Sequence, residues 1–428
     1  MFRGIRFYLT RAFYRLLGIN LDQRCKEIQE LWDAGEEKRN QHLNDLLQER
    51  QPLDARGNRV DSLKALHNAP VMSKSVLRER SLAKAEKYSR HTAGTTGEPT
   101  YVKLNTSELS RMLGVREYCF KSHGLKLGMR EARLWGRSAG GVKGRIRDFL
   151  LNRRVFHPVG PSAEKEVIEM LSWKPDYIYG YSSLILEAAQ MIERRKLEPL
   201  DIKGVICTAE NILPSQKRLV SKVFNCPVME EYGATEFDVI AFDCPVGHRH
   251  LVNPWLVVES IDHELVISDV SRKSQALVRY RIGDIADVTC SSCLHFGSNI
   301  LLENLEGRAF NRFAYGNDKT RFHAVEFSRV MDAYMQEYGE TLSFSFVQRK
   351  PGFVTVTTSP EAGNSSDLCR FVETQIYKRC KTSIRVEWSG QNNGSGLAFR
   401  AGKSSYFVQT MDHRNVSESD SINFGDEV

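Results

Sequence analysis

The chain reads Asp176-Tyr177-Ile178-Tyr179-Gly180, then an apolar helical pattern over 184–192, then Gly204-Val205-Ile206-Cys207-Thr208. The two outer segments are short and rich in aromatic or β-branched residues, which predicts two buried strands with a helix between them. Further strands are predicted over 264–268 and 276–281. Because strands that alternate with helices form mainly parallel sheets, we predict an α/β fold for the body of the chain.

The length of 428 residues exceeds what one hydrophobic core usually organises, so two or more domains are expected. After Gly307 the pattern changes to strands over 341–347 and 353–358, a helix over 367–380 and a strand over 382–388. This pattern predicts a small α+β domain. The predicted segments are a helical region 1–65, an α/β core 66–307, an α+β domain 308–412 and a disordered tail 413–428.

The overall charge is mild, since 60 basic and 53 acidic residues give +7. We predict no nucleic-acid partner, because the chain has neither an arginine-rich block nor the aromatic pattern of an RNA-binding sheet. The nine cysteines are widely spread, unlike those of a secreted disulfide scaffold. With no secretory signal pattern and no apolar run of bilayer length, a cytoplasmic location is expected. The sequence does not indicate an oligomeric state.

Residues 1–20 combine apolar residues at helical spacing with four arginines and no acid. The apolar residues are Phe2, Ile5, Leu9, Phe13, Leu16 and Leu17, and the basic ones are Arg3, Arg6, Arg11 and Arg15. One interpretation is a basic amphipathic helix that lies on an anionic membrane surface, and another is a transit peptide. The commoner arrangement in proteins is a helix that packs on the protein body, and we favour it here.

A loop rich in glycine and threonine reads His91-Thr92-Ala93-Gly94-Thr95-Thr96-Gly97-Glu98-Pro99-Thr100. Glycines let a backbone approach a ligand closely, and consecutive N–H groups can then wrap an anion. The threonine hydroxyls add further donors. Because the G-x-x-x-x-G-K-[ST] spacing is absent, this is not the loop of the P-loop NTPases. Taken alone, the pattern also fits a plain turn.

Three further motifs follow in order: Glu230-Glu231-Tyr232-Gly233-Ala234-Thr235-Glu236, Arg279-Tyr280-Arg281-Ile282-Gly283-Asp284 and Gly307-Arg308. With the loop, they resemble the adenylate-forming superfamily, most nearly phenylacetate–CoA ligase and the ligase-like proteins of capsular polysaccharide biosynthesis. Gly180-Tyr181-Ser182-Ser183 and Ala209-Glu210 support the likeness, which covers most of the chain from residue 66 to 409. The resemblance implies a large N-terminal α/β domain with a smaller C-terminal α+β lid.

The resemblance also implies roles for single residues at a nucleotide site. The phosphate-loop residues would hold the β- and γ-phosphates of ATP, and they are Thr92, Gly94, Thr95, Thr96 and Gly97. Tyr232, followed by Gly233, would stack on adenine, Thr235 would contact the α-phosphate, and Glu236 would bind Mg²⁺. Asp284 would accept hydrogen bonds from both ribose hydroxyls, and Arg308 would contact phosphate or ribose.

The acyl side of the site is assigned in the same way. Ala209 and Glu210 would line the adenine and acyl pocket. Its candidate aromatic walls are Trp135, Tyr177 and Tyr181. Lys403 resembles the family lysine that reaches the α-phosphate and the acyl oxygens when the lid closes.

The function implied is activation of a carboxylic acid by ATP and Mg²⁺ as acyl-AMP, followed by transfer to coenzyme A, with a possible place in surface polysaccharide biosynthesis. One alternative acceptor is an amine or hydroxyl on a sugar or amino acid. Another alternative is a non-catalytic protein that binds nucleotide or scaffolds partners. It stays open because Glu98, Asn311 and Ser405 stand where the family usually has lysine, aspartate and arginine.

Cysteines and histidines in two clusters predict a structural zinc site. Cys244-Pro245-Val246-Gly247-His248-Arg249-His250 precedes Cys290-Ser291-Ser292-Cys293. A Cys-x-x-Cys pair places two thiolates on one turn, and a third cysteine with one histidine completes a tetrahedron. The predicted ligands are Cys244, His250, Cys290 and Cys293, with His248 as the rival for the imidazole position. The alternative is a set of unpaired, partly buried thiols.

Overall fold

The structure is a computed structural model that describes residues 2–81, 87–92, 100–136, 141–198, 200–306, 313–360, 362–391 and 406–410. These residues form two compact units, one of residues up to 306 and one of 313–391 with 406–410. Each unit has its own sheet. The boundary predicted near residue 307 and the tail predicted over 413–428 lie outside the described residues.

The large unit combines helices and strands in alternation. Its described helices are α1 (Phe2–Leu16), α2 (Leu21–Asp33), α3 (Glu36–Arg50), α4 (Leu63–Asn68), α5 (Lys74–Ser81), α6 (Thr106–Ser122), α7 (Val142–Leu150), α8 (Ala163–Trp173), α9 (Ser182–Arg195) and α10 (Pro214–Phe224). Its described strands are β1 (Tyr88–Thr92), β2 (Thr100–Leu104), β3 (Glu131–Leu134), β4 (Arg153–Phe156), β5 (Tyr177–Tyr181), β6 (Val205–Thr208), β7 (Val228–Ala234), β8 (Asp238–Asp243), β9 (Arg249–Leu251), β10 (Leu256–Ile261), β11 (Glu264–Asp269), β12 (Leu277–Cys290) and β13 (Ile300–Glu306). The predicted α/β class is confirmed by this order.

Eleven of the described strands form one mixed sheet, in the order β10-β11-β12-β13-β9-β8-β7-β6-β5-β3-β4. Strands β4, β3, β5, β6 and β7 are parallel, and their connections run through helices. From β7 to β10 each neighbouring pair is antiparallel. The parallel half is thus the part whose strand ends form a ligand-binding edge.

The strand–helix–strand unit predicted from the sequence is β5, α9 and β6. All five residues of β5 and all four of β6 are buried, as expected for strands covered on both faces. Gly180 is required in β5, because a Cβ there would lie 2.1 Å from the carbonyl oxygen of Leu134 in β3. Ordinary side chains therefore cannot replace it without moving the neighbouring backbone.

Helices α2 and α3 pack on the antiparallel half of the sheet. Trp32 Nε1 donates to the carbonyl of Val252 at 3.1 Å. The buried guanidinium of Arg39 donates to the carbonyls of Pro254 and Leu256 at 3.0 and 2.7 Å. These side chains satisfy carbonyls near the start of β10, so residues 21–50 belong to the same unit as the sheet.

Helix α1 also packs on this unit, as the favoured interpretation predicted. Its buried residues are Thr10, Arg11 and Tyr14. Arg11 pairs with Glu117 of α6 at 2.7 Å and with Asp22 at 2.5 Å. In the described part of the chain, no helix is both long and apolar enough to cross a bilayer.

The described residues of the small unit form two helices and a four-stranded sheet. Its described elements are β14 (Phe313–Tyr315), β15 (Arg321–His323), α11 (Val325–Tyr338), β16 (Ser343–Lys350), β17 (Phe353–Ser359), α12 (Ser365–Cys380), β18 (Arg385–Gln391) and β19 (Phe407–Gln409). The sheet order is β18-β17-β16-β19, with only the central pair antiparallel. Phe327 of α11 stacks on Phe346 and Phe407, at 4.5 and 5.3 Å between ring centroids. The predicted α+β pattern after Gly307 matches these elements.

Candidate active site

The parallel strands end at one edge of the sheet, and several predicted pocket residues follow them there. Tyr181 ends β5, Ala209 and Glu210 come just after β6, and Ala234 ends β7. Ligands of open α/β sheets bind outside the carboxyl ends of the strands. The structure therefore brings residues of three separate sequence motifs to the edge where a ligand is expected.

Glu210 is held by the first turn of α9. Ser183 donates to Glu210 Oε2 from its backbone N at 3.0 Å and from its Oγ at 2.6 Å. Ser182 Oγ donates to the carbonyl of Glu210 at 2.7 Å. Ala209 has a φ of 67°, a left-handed value that a residue other than glycine keeps only when its surroundings hold it there. This segment is thus a fixed part of the site.

Tyr232 and Asp284 meet through a hydrogen bond although 52 residues separate them in the chain. Tyr232 Oη donates to Asp284 Oδ2 at 2.8 Å. Strands β7 and β12 have three others between them, so in a flat sheet they would lie about 19 Å apart. The contact requires the sheet to curl, and β12 itself changes its main partner from β11 to β13 at Ile285.

Thr235 and Glu236 lie in the turn between β7 and β8, and Glu236 is buried despite its charge. Glu236 Oε1 accepts a hydrogen bond from Tyr280 Oη at 3.1 Å. Gly233 allows the tight turn, because a Cβ there would lie 2.2 Å from the carbonyl oxygen of Asp238. A carboxylate held in this way is a suitable oxygen ligand for Mg²⁺.

A buried ionic network next to this turn was not predicted from the sequence. Arg116 of α6 lies 2.8 Å from Asp238 Oδ1 and 3.5 Å from Glu231 Oε1, and Tyr179 Oη donates to Glu231 at 2.7 Å. Burial opposes the charge on Arg116, but Asp238 and then Glu231 outweigh it and raise the pKa of Arg116 well above its usual value. Arg116 thus joins Glu231, which precedes the turn between β7 and β8, to Asp238, which follows it. A glutamate within the apolar strand β7 was the sequence signal that could have revealed it.

The aromatic side chains at this edge only partly match the predicted wall. The rings of Trp135 and Tyr181 lie 4.0 Å apart, and Trp135 stacks on Tyr179 at 6.1 Å. Tyr177 does not join them, because it is 1% exposed and its Oη donates to Glu131 at 2.7 Å in the core. Tyr179, on the same face of β5, is the ring that stacks on Trp135, although it too is buried and its Oη bonds to Glu231.

The phosphate loop and the predicted lysine cannot be placed. The predicted residues outside the described part of the chain are Gly94, Thr95, Thr96, Gly97, Arg308 and Lys403. Thr92 is described by its backbone, which pairs with Thr100, so the hairpin of β1 and β2 brings together the two ends of segment 93–99. Arg90 of β1 reaches the active-site turn, with Nη1 3.3 Å from Asp238 Oδ1.

Two cysteines and two histidines form a group that could hold a metal ion. The ligand atoms of Cys244, His248, His250 and Cys293 all lie within 4.8 Å of one another. His250 Nδ1 lies 2.7 Å from the carbonyl oxygen of Ser298, and its buried Nε2 has no hydrogen-bond partner among the described residues. A ring nitrogen bonded to a carbonyl, with the other left bare, is the arrangement of metal-binding histidines. Two thiolates and two imidazoles suit tetrahedral zinc.

The structure does not bring Cys290 into this group. Cys290 is the exposed last residue of β12 and pairs in register with Ile300 of β13, whereas Cys293 lies beyond the end of the strand. His248, the predicted rival, takes the fourth position instead. A hydrogen bond with His248, followed by others with His295, lowers the pKa of the Cys293 thiol to about 5. The thiolate form of Cys293 is therefore favoured at neutral pH, whereas burial raises the pKa of the Cys244 thiol.

Comparison with known proteins found no matching family model. Protein CapK of Staphylococcus aureus is 23% identical over 214 residues, which cover 46% of this chain and 47% of that protein. Phenylacetate-coenzyme A ligase of Pseudomonas putida is 24% identical over 214 residues, which cover 45% of this chain and 48% of that protein. The chain thus matches about half the length of these curated relatives.

A solved structure matches far more of the chain. It is 2-hydroxyisobutyryl-CoA ligase in the postadenylation state, in complex with R3-HIB-AMP. The TM-score is 0.70 and the identity 15%, and the match covers 89% of this chain and 91% of that one. It confirms the predicted fold, a large N-terminal α/β domain with a smaller C-terminal domain built on a sheet.

Proposed function

We propose that this protein, a distant member of the adenylate-forming superfamily, uses ATP to activate a carboxylic acid as its acyl-adenylate. In this step a carboxylate oxygen attacks the α-phosphorus, the bond to the β-phosphate breaks, and pyrophosphate leaves. The observation that carries the proposal is the meeting of Tyr232 and Asp284 at 2.8 Å, beside the ends of β6 and β7. An aromatic ring next to a half-buried carboxylate suits an adenine and its ribose.

Different residues would bind different parts of the triphosphate. Glu236, buried in the turn and oriented by Tyr280, would hold Mg²⁺, and Thr235 beside it would contact the α-phosphate. Phosphoryl transfer asks the protein mainly for positioning and charge neutralisation. The segment from Thr92 to Gly97 would bind the β- and γ-phosphates, and Lys403 and Arg308 would supply positive charge. Mg²⁺ would offset part of the phosphate charge.

The second half of the reaction would transfer the acyl group to coenzyme A. The thiolate sulfur attacks the acyl carbon, a thioester forms and AMP leaves. Support comes from the two ligases among the similar proteins, both of which are named for coenzyme A. An amine or hydroxyl acceptor, as in surface polysaccharide biosynthesis, is the alternative that the acceptor assay below distinguishes.

We also propose that Cys244, His248, His250 and Cys293 bind a structural zinc ion. Four protein ligands fill a tetrahedral shell, which leaves no open position for a substrate. The ion would tie the turn after β8 to the segment after β12. Its contribution would thus be to the stability of the antiparallel half of the sheet and not to the chemistry.

The test of adenylation is carboxylate-dependent exchange between ATP and labelled pyrophosphate, over a panel of aryl, alkyl and hydroxy acids. Exchange with at least one acid is expected, and Glu236→Gln should abolish it. Glu259→Gln is the matched control, since Glu259 is a glutamate of β10 outside the site, where it pairs with Arg279. If no acid supports exchange, the protein is a non-catalytic relative. Thioester formation with and without coenzyme A then identifies the acceptor.

A further inference from the structure

Helix α1 buries Thr10, Arg11 and Tyr14 against the protein and leaves most of its aliphatic side chains exposed. Its buried positions include Thr10 and Arg11, and Arg11 is held by the fully buried Glu117. Its exposed positions form an apolar stripe at helical spacing: Ile5, Tyr8, Leu9, Ala12 and Leu16. The exposed fractions are 50% for Ile5, 72% for Tyr8, 55% for Leu9 and 86% for Leu16. A surface helix normally turns its apolar stripe inward, so an exposed stripe of this size is typical of an interaction surface.

Helix α7 has the same orientation. Its buried residues are Gly144 and Asp148, while Val142, Ile146 and Phe149 are exposed by 71%, 53% and 60%. Asp148 is neutralised internally, at 2.8 Å from Arg153 and 3.2 Å from Arg147. Fourteen large hydrophobic side chains are exposed on the described residues, and seven of them lie on α1 and α7. Exposed apolar side chains are therefore concentrated on these two helices.

The two helices are neighbours and share one surface. Arg6 of α1 donates to the carbonyl of Phe149 at 2.7 Å, and its guanidinium lies 4.4 Å above the Phe149 ring. Leu9 is three residues after Arg6 and lies beside it on the helix. The apolar residues of α7 therefore continue those of α1 across Arg6.

Charge identifies the partner of this surface. Of the four arginines of α1, Arg11 is buried against Glu117 and Asp22, whereas Arg15 is exposed; the three basic residues of α7 are all exposed and its one acid is buried. Exposed cations border the apolar residues, among them Arg15, Lys143, Arg145 and Arg147. A second copy of the chain would place these cations against one another in a two-fold interface, which is unfavourable. A bilayer with anionic headgroups offers both an apolar interior and negative charge.

We propose that α1 and α7 together form a docking surface for an anionic lipid bilayer, with both helices lying in the plane of the interface. Leu9, Phe149 and the other exposed apolar residues enter the boundary between headgroups and acyl chains. The flanking lysine and arginine side chains remain at the level of the phosphates. Docking of this kind would be peripheral and reversible, and it does not depend on the proposed adenylation activity.

The test is flotation of the full chain with phosphatidylcholine vesicles, with or without phosphatidylglycerol. Binding to the anionic vesicles alone is expected, together with its weakening by salt. Leu9→Glu and Phe149→Glu, on separate helices, should each lower the partition coefficient roughly tenfold or more. Arg145→Gln should lower it about fivefold. Tyr377→Glu is the matched control, since Tyr377 is an aromatic residue of α12 with a similar exposure of 57%.

Two results would overturn the proposal. One is that the protein binds neither kind of vesicle, or that Phe149→Glu binds anionic vesicles as tightly as the Tyr377→Glu control does. The other is a stable dimer in sedimentation that Phe149→Glu dissociates, because the surface would then be an interface between copies. Circular dichroism of each variant checks the fold, which the exposed positions of Leu9 and Phe149 should preserve.

Discussion

Asp284 offers the sharpest test of the nucleotide site. Its Oδ2 accepts a hydrogen bond from Tyr232 Oη at 2.8 Å, and a carboxylate can accept several hydrogen bonds at once, including those from ribose hydroxyls. Asp284→Asn removes the negative charge and replaces one acceptor with an NH₂ group. A hydrogen bond to a charged group contributes about 1.5–3 kcal/mol, and the half-exposed site favours the lower part of that range.

The expected loss is about 2 kcal/mol, which corresponds to a roughly 30-fold rise in the Kd for ATP. The same reasoning predicts that the wild type binds 2′-deoxyATP about tenfold more weakly than ATP, because one hydroxyl donor is missing. In Asp284→Asn this preference should shrink to about twofold. Tyr232→Phe keeps the ring and removes one neutral donor, so an effect of about 1 kcal/mol, or fivefold, is expected.

Calorimetric titration of both nucleotides with Mg²⁺ into each variant measures these constants. Asp287→Asn is the control, because Asp287 lies on the same strand and bonds at the surface to His263 and Asn304. The reasoning is refuted if Asp287→Asn weakens the binding of ATP as much as Asp284→Asn does. It is also refuted if Asp284→Asn still distinguishes ATP from 2′-deoxyATP as well as the wild type.

Three further outcomes are expected. Elemental analysis should find stoichiometric zinc in the purified Cys290→Ser protein but not in Cys293→Ser. The reverse result would restore Cys290 as the ligand. Gly180→Ala should lower the free energy of unfolding in urea by about 2–3 kcal/mol, because its Cβ would lie 2.1 Å from the Leu134 carbonyl oxygen. Gly204→Ala should lower it by less than about 1 kcal/mol, because the new Cβ meets the flexible end of Met229. Equal losses would contradict this. Hydrogen bonds from Thr382 and then Thr320 lower the pKa of Asp318 from 3.8 to about 2. The ionised carboxylate therefore stabilises the small unit above about pH 4, and this contribution is lost as the pH falls through about 2. Thr382→Val should therefore move acid unfolding, followed by circular dichroism, to a higher pH, and an unchanged midpoint would count against the assignment.

The elements of the fold could be predicted because their signals are local. The unit of β5, α9 and β6 follows from apolar runs and their spacing, and the small unit's strands follow from alternation around the turn at Pro351. These patterns lie within short stretches of chain, where backbone and side-chain preferences act directly.

Contacts between distant segments could not be predicted with the same reliability. Cys290 belonged to the more familiar Cys-x-x-Cys pattern, yet it ends a strand whose pairing keeps it apart from the histidines. Tyr177 and Tyr179 differ little in sequence context, and only the packing shows that Tyr179 stacks on Trp135 while Tyr177 bonds to Glu131 in the core. Periodicity revealed that α1 is amphipathic, but not which side faces the protein.

The fold class and the order of the motifs could be read from the chain, because each depends on neighbouring residues, and the same motifs predicted the candidate site residues. Three features became visible only in the folded chain: Tyr232 reaches Asp284, His248 joins the candidate metal-binding group, and α1 exposes its apolar stripe. The physical reason is that these outcomes depend on how an eleven-stranded sheet curls and on which buried partner, such as Glu117 for Arg11, satisfies a charge.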